Sequence, residues 1–275
     1  MPLALILSSY VAAARIGGAA QQYVLARHGI DPVLVPTVLL GRSPARGARG
    51  QATDPELFAR MLADVEAEGL FGLCDLVITG HFSLPEQVAI AAEAIARIRA
   101  APRDGAFRAS VIVVVDPILG DAPGGLYVKP EVALAVAERL VPLADYLTPN
   151  LWELEHLSQG DIAGAARRLG RPVLVTSAPA GPGEIGLAYV DADGATLFAH
   201  RRLNGVPNGT GDLVTASFGA GLVEGLEPLA AAERAARAAA EAVQAAQDWR
   251  ARELPIIALG ERLVRPTARL RIERL

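Results

Sequence analysis

At 275 residues the chain is long enough for one large α/β domain or two small ones, and 52% hydrophobic against 20% charged residues excludes intrinsic disorder. With 26 basic against 30 acidic side chains the net charge is -4, which excludes a dedicated nucleic-acid coat. The one cysteine, Cys74, excludes an internal disulfide framework and fits a reducing compartment.

The opening MPLALILSS has no basic segment ahead of its apolar run, so it reads as a first strand and not as a signal peptide. The mean hydropathy of +0.31 comes largely from alanine, and no stretch reaches about 18 strongly apolar residues. The expectation is a cytoplasmic protein without a membrane segment. Lys129 is the only lysine and precedes a proline, which excludes a Walker A loop.

Short β-rich runs alternate with helical stretches, the pattern of crossover units in a mainly parallel sheet. Leu3 to Ser8 reads as a strand, followed by a helix to Arg27 that Gly29 ends; Val33 to Val38 is the next strand. Leu39 to Gln51, rich in Gly and Arg and without apolar periodicity, is a solvated connection or a functional flap. Thr53 with Glu56 predicts a capping box, Leu76 to Thr79 a strand, and Ser83 with Glu86 the cap of a helix to about Ala100.

The continuous apolar run Ser110 to Asp116 predicts a central strand covered on both faces. A helix from Glu131 to Leu140, a short strand ending at Thr148, and a strand from Val173 to Ser177 follow. Gly186 to Val190 and Ala195 to His200 read as a hairpin turning at Asp193 and Gly194. Helices from about Gly211 to Val223 and from about Leu229 to Arg250 come last, and no linker divides the chain, so residues 1–275 are expected to form one domain.

Three segments could carry chemistry. In NGTGDLVTASFGAGL, Gly209 and Gly211 leave room for backbone N–H groups to converge where a helix dipole favours an anion. Asp212 there would repel a resting phosphate, yet suits a base taking a proton from a hydroxyl that attacks a phosphoryl group. The residues alone read equally well as an ordinary helix start capped by Thr210 or Asp212. In DPILGDAPGGLYV, Asp116 and Asp121 could hold hydrated Mg²⁺, or simply end a strand and fill a turn. In TPNLWELEHL, Thr148, Asn150 and Glu153 taken alone are capping chemistry.

Polar stations after three successive strands, with the Gly-rich anion turn last, give an order that resembles the ribokinase superfamily. Within it the chain is similar to the pyridoxal kinase family, in its shorter bacterial branch, nearly end to end: SSYV, PTV, ITGHF, DPILGD with GGLYV, TPNLWELE, VTSAP, GTGD and the tail ELPIIALGERLVRP. The resemblance implies a three-layer α/β/α fold with a flap over the site, and phosphorylation of the 5-hydroxymethyl group of pyridoxal, pyridoxine or pyridoxamine by ATP. It implies Asp212 as base and Gly209, Thr210 and Gly211 as the anion hole. Asp116 and Glu153 would position Mg²⁺ through water, with Asp121, Thr148, Asn150, Thr176, Ser177 and Tyr127 along the nucleotide. Ser9, Val38 and His81 would join Asp212 on the substrate side. A homodimer is implied as well, and a monovalent cation is left open.

The departures from the family cluster on the substrate side. Tyr10 stands where the family has His, Gly17, Gly18 and Ala19 where it has Gly-Asn-Ser, and His81 where many members have Tyr. The flap carries Ser43, Pro44, Arg46 and Gly47 in place of a His-Thr and Tyr-Gly pair. A hydroxymethylpyrimidine kinase therefore stays open, as does a non-catalytic pyridoxal-phosphate carrier using Lys129. Elsewhere, the four histidines and Cys74 lack metal-ligand spacing, Cys74 reads as a small buried hydrophobe, and Trp152 and Trp249 read as packing residues.

Overall fold

The computed structural model describes residues 1–275. In chain order its elements are β1 (Leu3–Val11), α1 (Gly17–Arg27), β2 (Asp31–Leu40), β3 (Gln51–Ala52), α2 (Pro55–Ala67), α3 (Leu70–Leu73), β4 (Cys74–Thr79), α4 (Pro85–Ala100), β5 (Ile112–Val115), β6 (Gly120–Asp121), β7 (Gly125–Leu126), α5 (Pro130–Ala135), β8 (Tyr146–Leu147), α6 (Leu151–Leu157), α7 (Ile162–Arg168), β9 (Val173–Pro179), β10 (Glu184–Val190), β11 (Ala195–Arg201), α8 (Thr210–Val223), α9 (Pro228–Asp248), α10 (Ile256–Leu259), α11 (Glu261–Val264) and β12 (Arg271–Arg274).

Ten strands form one sheet in the order β12-β11-β10-β9-β8-β5-β4-β1-β2-β3, and β6 with β7 makes a separate ribbon. The six strands from β2 to β9 are parallel, while the hairpin β10–β11 and the edge strands β3 and β12 run antiparallel. The central strands have no polar face because both faces are covered. Leu3, Leu5 and Leu7 of β1, with Val113 and Val115 of β5, point into the core beneath α2 and α4. Ala4, Ile6, Ile112 and Val114 point into the core beneath α1, α8 and α9. From β1 the chain runs first to β2 on one side and then to β4 on the other, so the sheet reverses direction between β1 and β4. A crevice opens beyond the carboxyl ends of strands at such a switch point.

Local expectations needed correction in several places. The cap of α2 is Asp54, whose side chain accepts from the N–H groups of Glu56 and Leu57 ahead of Pro55. Thr53 instead donates its hydroxyl to the Pro36 carbonyl. At α4, the Gln87 side chain accepts from the N–H groups of Ser83 and Leu84, and the Ser83 hydroxyl faces His81. The helix expected to run to Leu140 is regular only to Ala135 and then passes through a wide turn, Val136–Leu140, and a tight one, Val141–Leu143, in which Pro142 supplies no N–H. Trp249 is not a packing residue: it is 51% exposed at the end of α9. Cys74 is buried as expected, and burial pushes its thiol up to about 12.

Candidate active site

Asp212 lies in the first turn of α8, behind a glycine that only glycine can be. Gly209 has a φ of 107°, and a Cβ there would stand 2.3 Å from the Arg15 carbonyl oxygen. The N–H groups that open α8 have no partner within the helix. A second glycine secures the carboxylate. The Gly17 N–H donates to Asp212 Oδ2 at 2.8 Å, from a φ of +61° and with Ser9 Oγ only 2.2 Å from where a Cβ would be. Asp212 Oδ1 is buried and accepts no hydrogen bond. Burial pushes the carboxyl up to about 6, against the opposing pull of the Gly17 N–H.

Asp116 follows β5 directly and is buried. Its Oδ2 accepts from Thr215 Oγ1 at 2.8 Å. Thr148 Oγ1, at the end of β8, lies 2.9 Å from the same Thr215 oxygen. Burial, with the charges of Glu153 and Asp212 nearby, holds the Asp116 carboxyl well above the usual carboxylate range. Thr215 was not singled out from the sequence. Its position one turn beyond Asp212 on α8 was the available signal, but its partner comes from another strand.

Glu153 is buried and turned toward the main chain. Its Oε2 accepts from the Asn150 N–H at 2.8 Å and its Oε1 from Leu119 N–H at 2.9 Å, while Asn150 Nδ2 donates to the Gly120 carbonyl at 2.8 Å. The capping box of α6 thus clamps the loop that follows Asp116. Burial raises the Glu153 carboxyl to about 7, in spite of these N–H donors. On the same loop Asp121 and Tyr127 are exposed, and partial burial together with the nearby Asp121 carboxylate pushes the Tyr127 hydroxyl above its ordinary value. Thr176 joins the β8 end through its N–H on the Pro149 carbonyl at 2.9 Å, and the exposed Ser177 beside it has a φ of 58°.

The remaining residues fall at the same sheet edge on β1, β2 and β4. Ser9 and Val38 are buried near the ends of β1 and β2. His81 follows β4, its carbonyl accepting from Thr37 Oγ1 at 2.5 Å, and burial pushes its ring down to about 4, so it is neutral at pH 7. The structure also accounts for one departure from the family: a Cβ at Gly18 would stand 2.4 Å from Leu34 Cδ1, so Leu34 fills the space a side chain there would need. The flap is tied down. Arg46 lies 2.6 Å from Glu253 Oε1, and Glu253 Oε2 accepts from the Arg15 N–H at 3.3 Å, beside Gly17.

The assembled edge therefore has one half on β5, β8 and β9 and another on β4, β1 and β2, with Asp116 and Asp212 between them. A family profile for phosphomethylpyrimidine kinase matches residues 90–256. The pyridoxine/pyridoxal/pyridoxamine kinase of Bordetella avium is 36% identical over 245 residues, covering 84% of this chain and 81% of that one. The pyridoxal kinase PdxY of Rubrobacter xylanophilus is 30% identical over 98% of this chain and 97% of its own. Among solved structures, the Leishmania donovani pyridoxal kinase in complex with ADP superposes with a TM-score of 0.88 at 25% identity, covering 99% of each chain.

Proposed function

Because this chain belongs to the pyridoxal kinase family, we propose that Asp212 is the base with which it phosphorylates B6 vitamers at the expense of ATP. The observation that carries the assignment is the pair of unequal carboxylate oxygens on Asp212. Oδ2 is fixed by Gly17, while Oδ1 is buried without a partner. A carboxyl raised to about 6 by burial is still ionised at pH 7 and is a stronger proton acceptor than a solvated one. As the 5-hydroxymethyl oxygen bonds to the γ-phosphorus, its proton passes to Oδ1, and the bond from phosphorus to the β,γ-bridging oxygen breaks to release ADP. The N–H groups of Gly209, Thr210 and Gly211 would meet the charge that builds on the transferring group.

Mg²⁺ fits the donor set. The oxygens are hard carboxylates, and one or two of them suffice for an ion that keeps waters and binds phosphate. When bound it would offset phosphate charge. Asp116 would hold it with the oxygen that Thr215 leaves free, and Glu153 would act through water and through its grip on the loop. Asp121, Tyr127, Thr148, Asn150, Thr176 and Ser177 would line the nucleotide. Ser9, Val38 and neutral His81 would bound the vitamer ring. The same reading takes residues 1–275 as one cytoplasmic domain that pairs as a homodimer. No helix is long and apolar enough to cross a membrane.

Asp212→Asn should lower turnover by roughly 10² to 10⁴ while ATP still binds; near-normal turnover in the folded variant rejects the base. The hydroxymethylpyrimidine reading keeps one supporting observation, the family profile over residues 90–256. The apolar Val38 and the Leu34-filled space at Gly18 leave few polar groups to reject an analogue, so kcat/KM should lie within about tenfold across pyridoxal, pyridoxine and pyridoxamine. A strong preference for the pyrimidine in the same assay would move the substrate assignment.

A further inference from the structure

At the amino-terminal edge of the sheet, away from Asp212, lies a cavity of about 880 Å³ into which four arginines converge: Arg99, Arg103, Arg108 and Arg171. Such a volume is within the range that holds small-molecule ligands. Two of the arginines are paired, Arg99 with Asp145 at 3.0 Å and Arg103 with buried Asp75 at 3.0 Å. The other two rest on main-chain carbonyls only. Arg108 Nη1 donates to Leu222 and Val223 at 3.0 and 3.2 Å, and Arg171 Nη2 donates to Pro142 at 2.7 Å.

Donors here outnumber acceptors. Arg108 Nη2 and the Nε and Nη1 of Arg171 make no hydrogen bond within the chain, so these N–H groups are free for an acceptor that enters the cavity. Besides Asp145, Glu227 is the one other carboxylate in the lining, and it is exposed. Arg108 also caps the carboxyl end of α8, whose amino end carries Asp212. That helix has 14 residues and is thus about 21 Å long, so the two sites are separate.

We infer that this cavity is a second anion site that takes a small phosphate-bearing molecule, its phosphate oxygens received by Arg108 and Arg171. Planar guanidinium groups with several free N–H donors match phosphate geometry, and Val111 and Leu226 offer an apolar wall to an organic remainder. The inference does not depend on the reaction assigned to the opposite edge.

The test is a calorimetric titration of the full chain, with the active site first saturated by a non-hydrolysable ATP analogue, Mg²⁺ and pyridoxine. The probes are inorganic phosphate and, separately, pyridoxal 5′-phosphate, at matched ionic strength. One further equivalent of probe should bind per chain, weakened at least about tenfold in Arg171→Gln and in Arg108→Gln, with affinity for the ATP analogue unchanged in Arg171→Gln. Binding of both probes means that phosphate alone suffices, and binding of the ester alone means that the organic part is read as well. Arg171 is exposed, so its variant keeps the test valid if Arg108→Gln unfolds. No second equivalent of either probe, or equal binding by wild type and Arg171→Gln, overturns the inference.

Discussion

Gly17 and Asp212, separated by 195 positions in the chain, are joined by a 2.8 Å hydrogen bond from the Gly17 N–H to Oδ2. The turn that opens α1 thereby fixes which carboxylate oxygen is free. Gly17→Ala would place a Cβ against Ser9 and hold a non-glycine residue at left-handed φ, costing about 1–2 kcal/mol from the backbone alone. The expected outcome is a lower Tm and a kcat reduced at least about tenfold as Asp212 loses its orientation. Unchanged kcat would show that Asp212 does not need this tether.

Asp212 gives the protein a defined pH response. Its carboxyl titrates near 6 when folded against an ordinary value of 3.8, so between those two values the folded state binds more protons than the unfolded one. Stability of the ligand-free protein should therefore rise as pH falls from about 6 to about 4, with Glu153 adding to the trend from about 7. At pH 8, Asp212→Asn should be more stable than wild type by on the order of 2–3 kcal/mol, and the difference should vanish below about pH 4. Denaturant midpoints across that range check this. Activity should move the opposite way, kcat/KM falling below about pH 6.

Asp116 and Glu153 should separate in their response to Mg²⁺. Asp116→Asn removes charge from the oxygen that Thr215 leaves free, and the half-saturating Mg²⁺ concentration should rise about tenfold or more. Glu153→Gln should raise it less but lower Tm more, because Glu153 accepts from N–H groups on two segments. Overlapping Mg²⁺ titrations for both variants and wild type would make the two residues structural only.

The ion pair between Arg46 and Glu253 ties the flap to the segment ahead of α10. Both side chains keep some exposure, so its direct contribution to stability is at most about 1 kcal/mol. Its effect should appear in coupling instead. Glu253→Ala should release the flap, admit water and raise the ratio of ADP formed to vitamer phosphorylated several-fold. Equal ratios in variant and wild type would assign the flap no role in excluding water.

Several parts of the fold depend only on near neighbours in the chain. The unbroken β-branched run of β5, the Asp-Gly turn of the β10–β11 hairpin, the alanine face of α9 and the glycines before Asp212 each carry a local physical signature. The order of the polar stations after successive strands placed them at one edge, since parallel strands share a carboxyl end. Tertiary structure alone decided which partners those stations meet. Nothing local to Thr215 indicates Asp116, nothing near Gly17 indicates Asp212, and neither Arg46 nor Glu253 announces the other. The caps show the same limit at shorter range. Thr53 and Ser83 fit the helix-start pattern, but Pro36 claimed the Thr53 hydroxyl and Gln87 took the donors ahead of α4. Strand β12 was likewise invisible, because an exposed segment of alternating charge becomes a strand only when the edge of β11 supplies its hydrogen bonds. Backbone and side-chain polar groups take whichever partner the packed chain brings within reach, and that choice is a property of the whole fold.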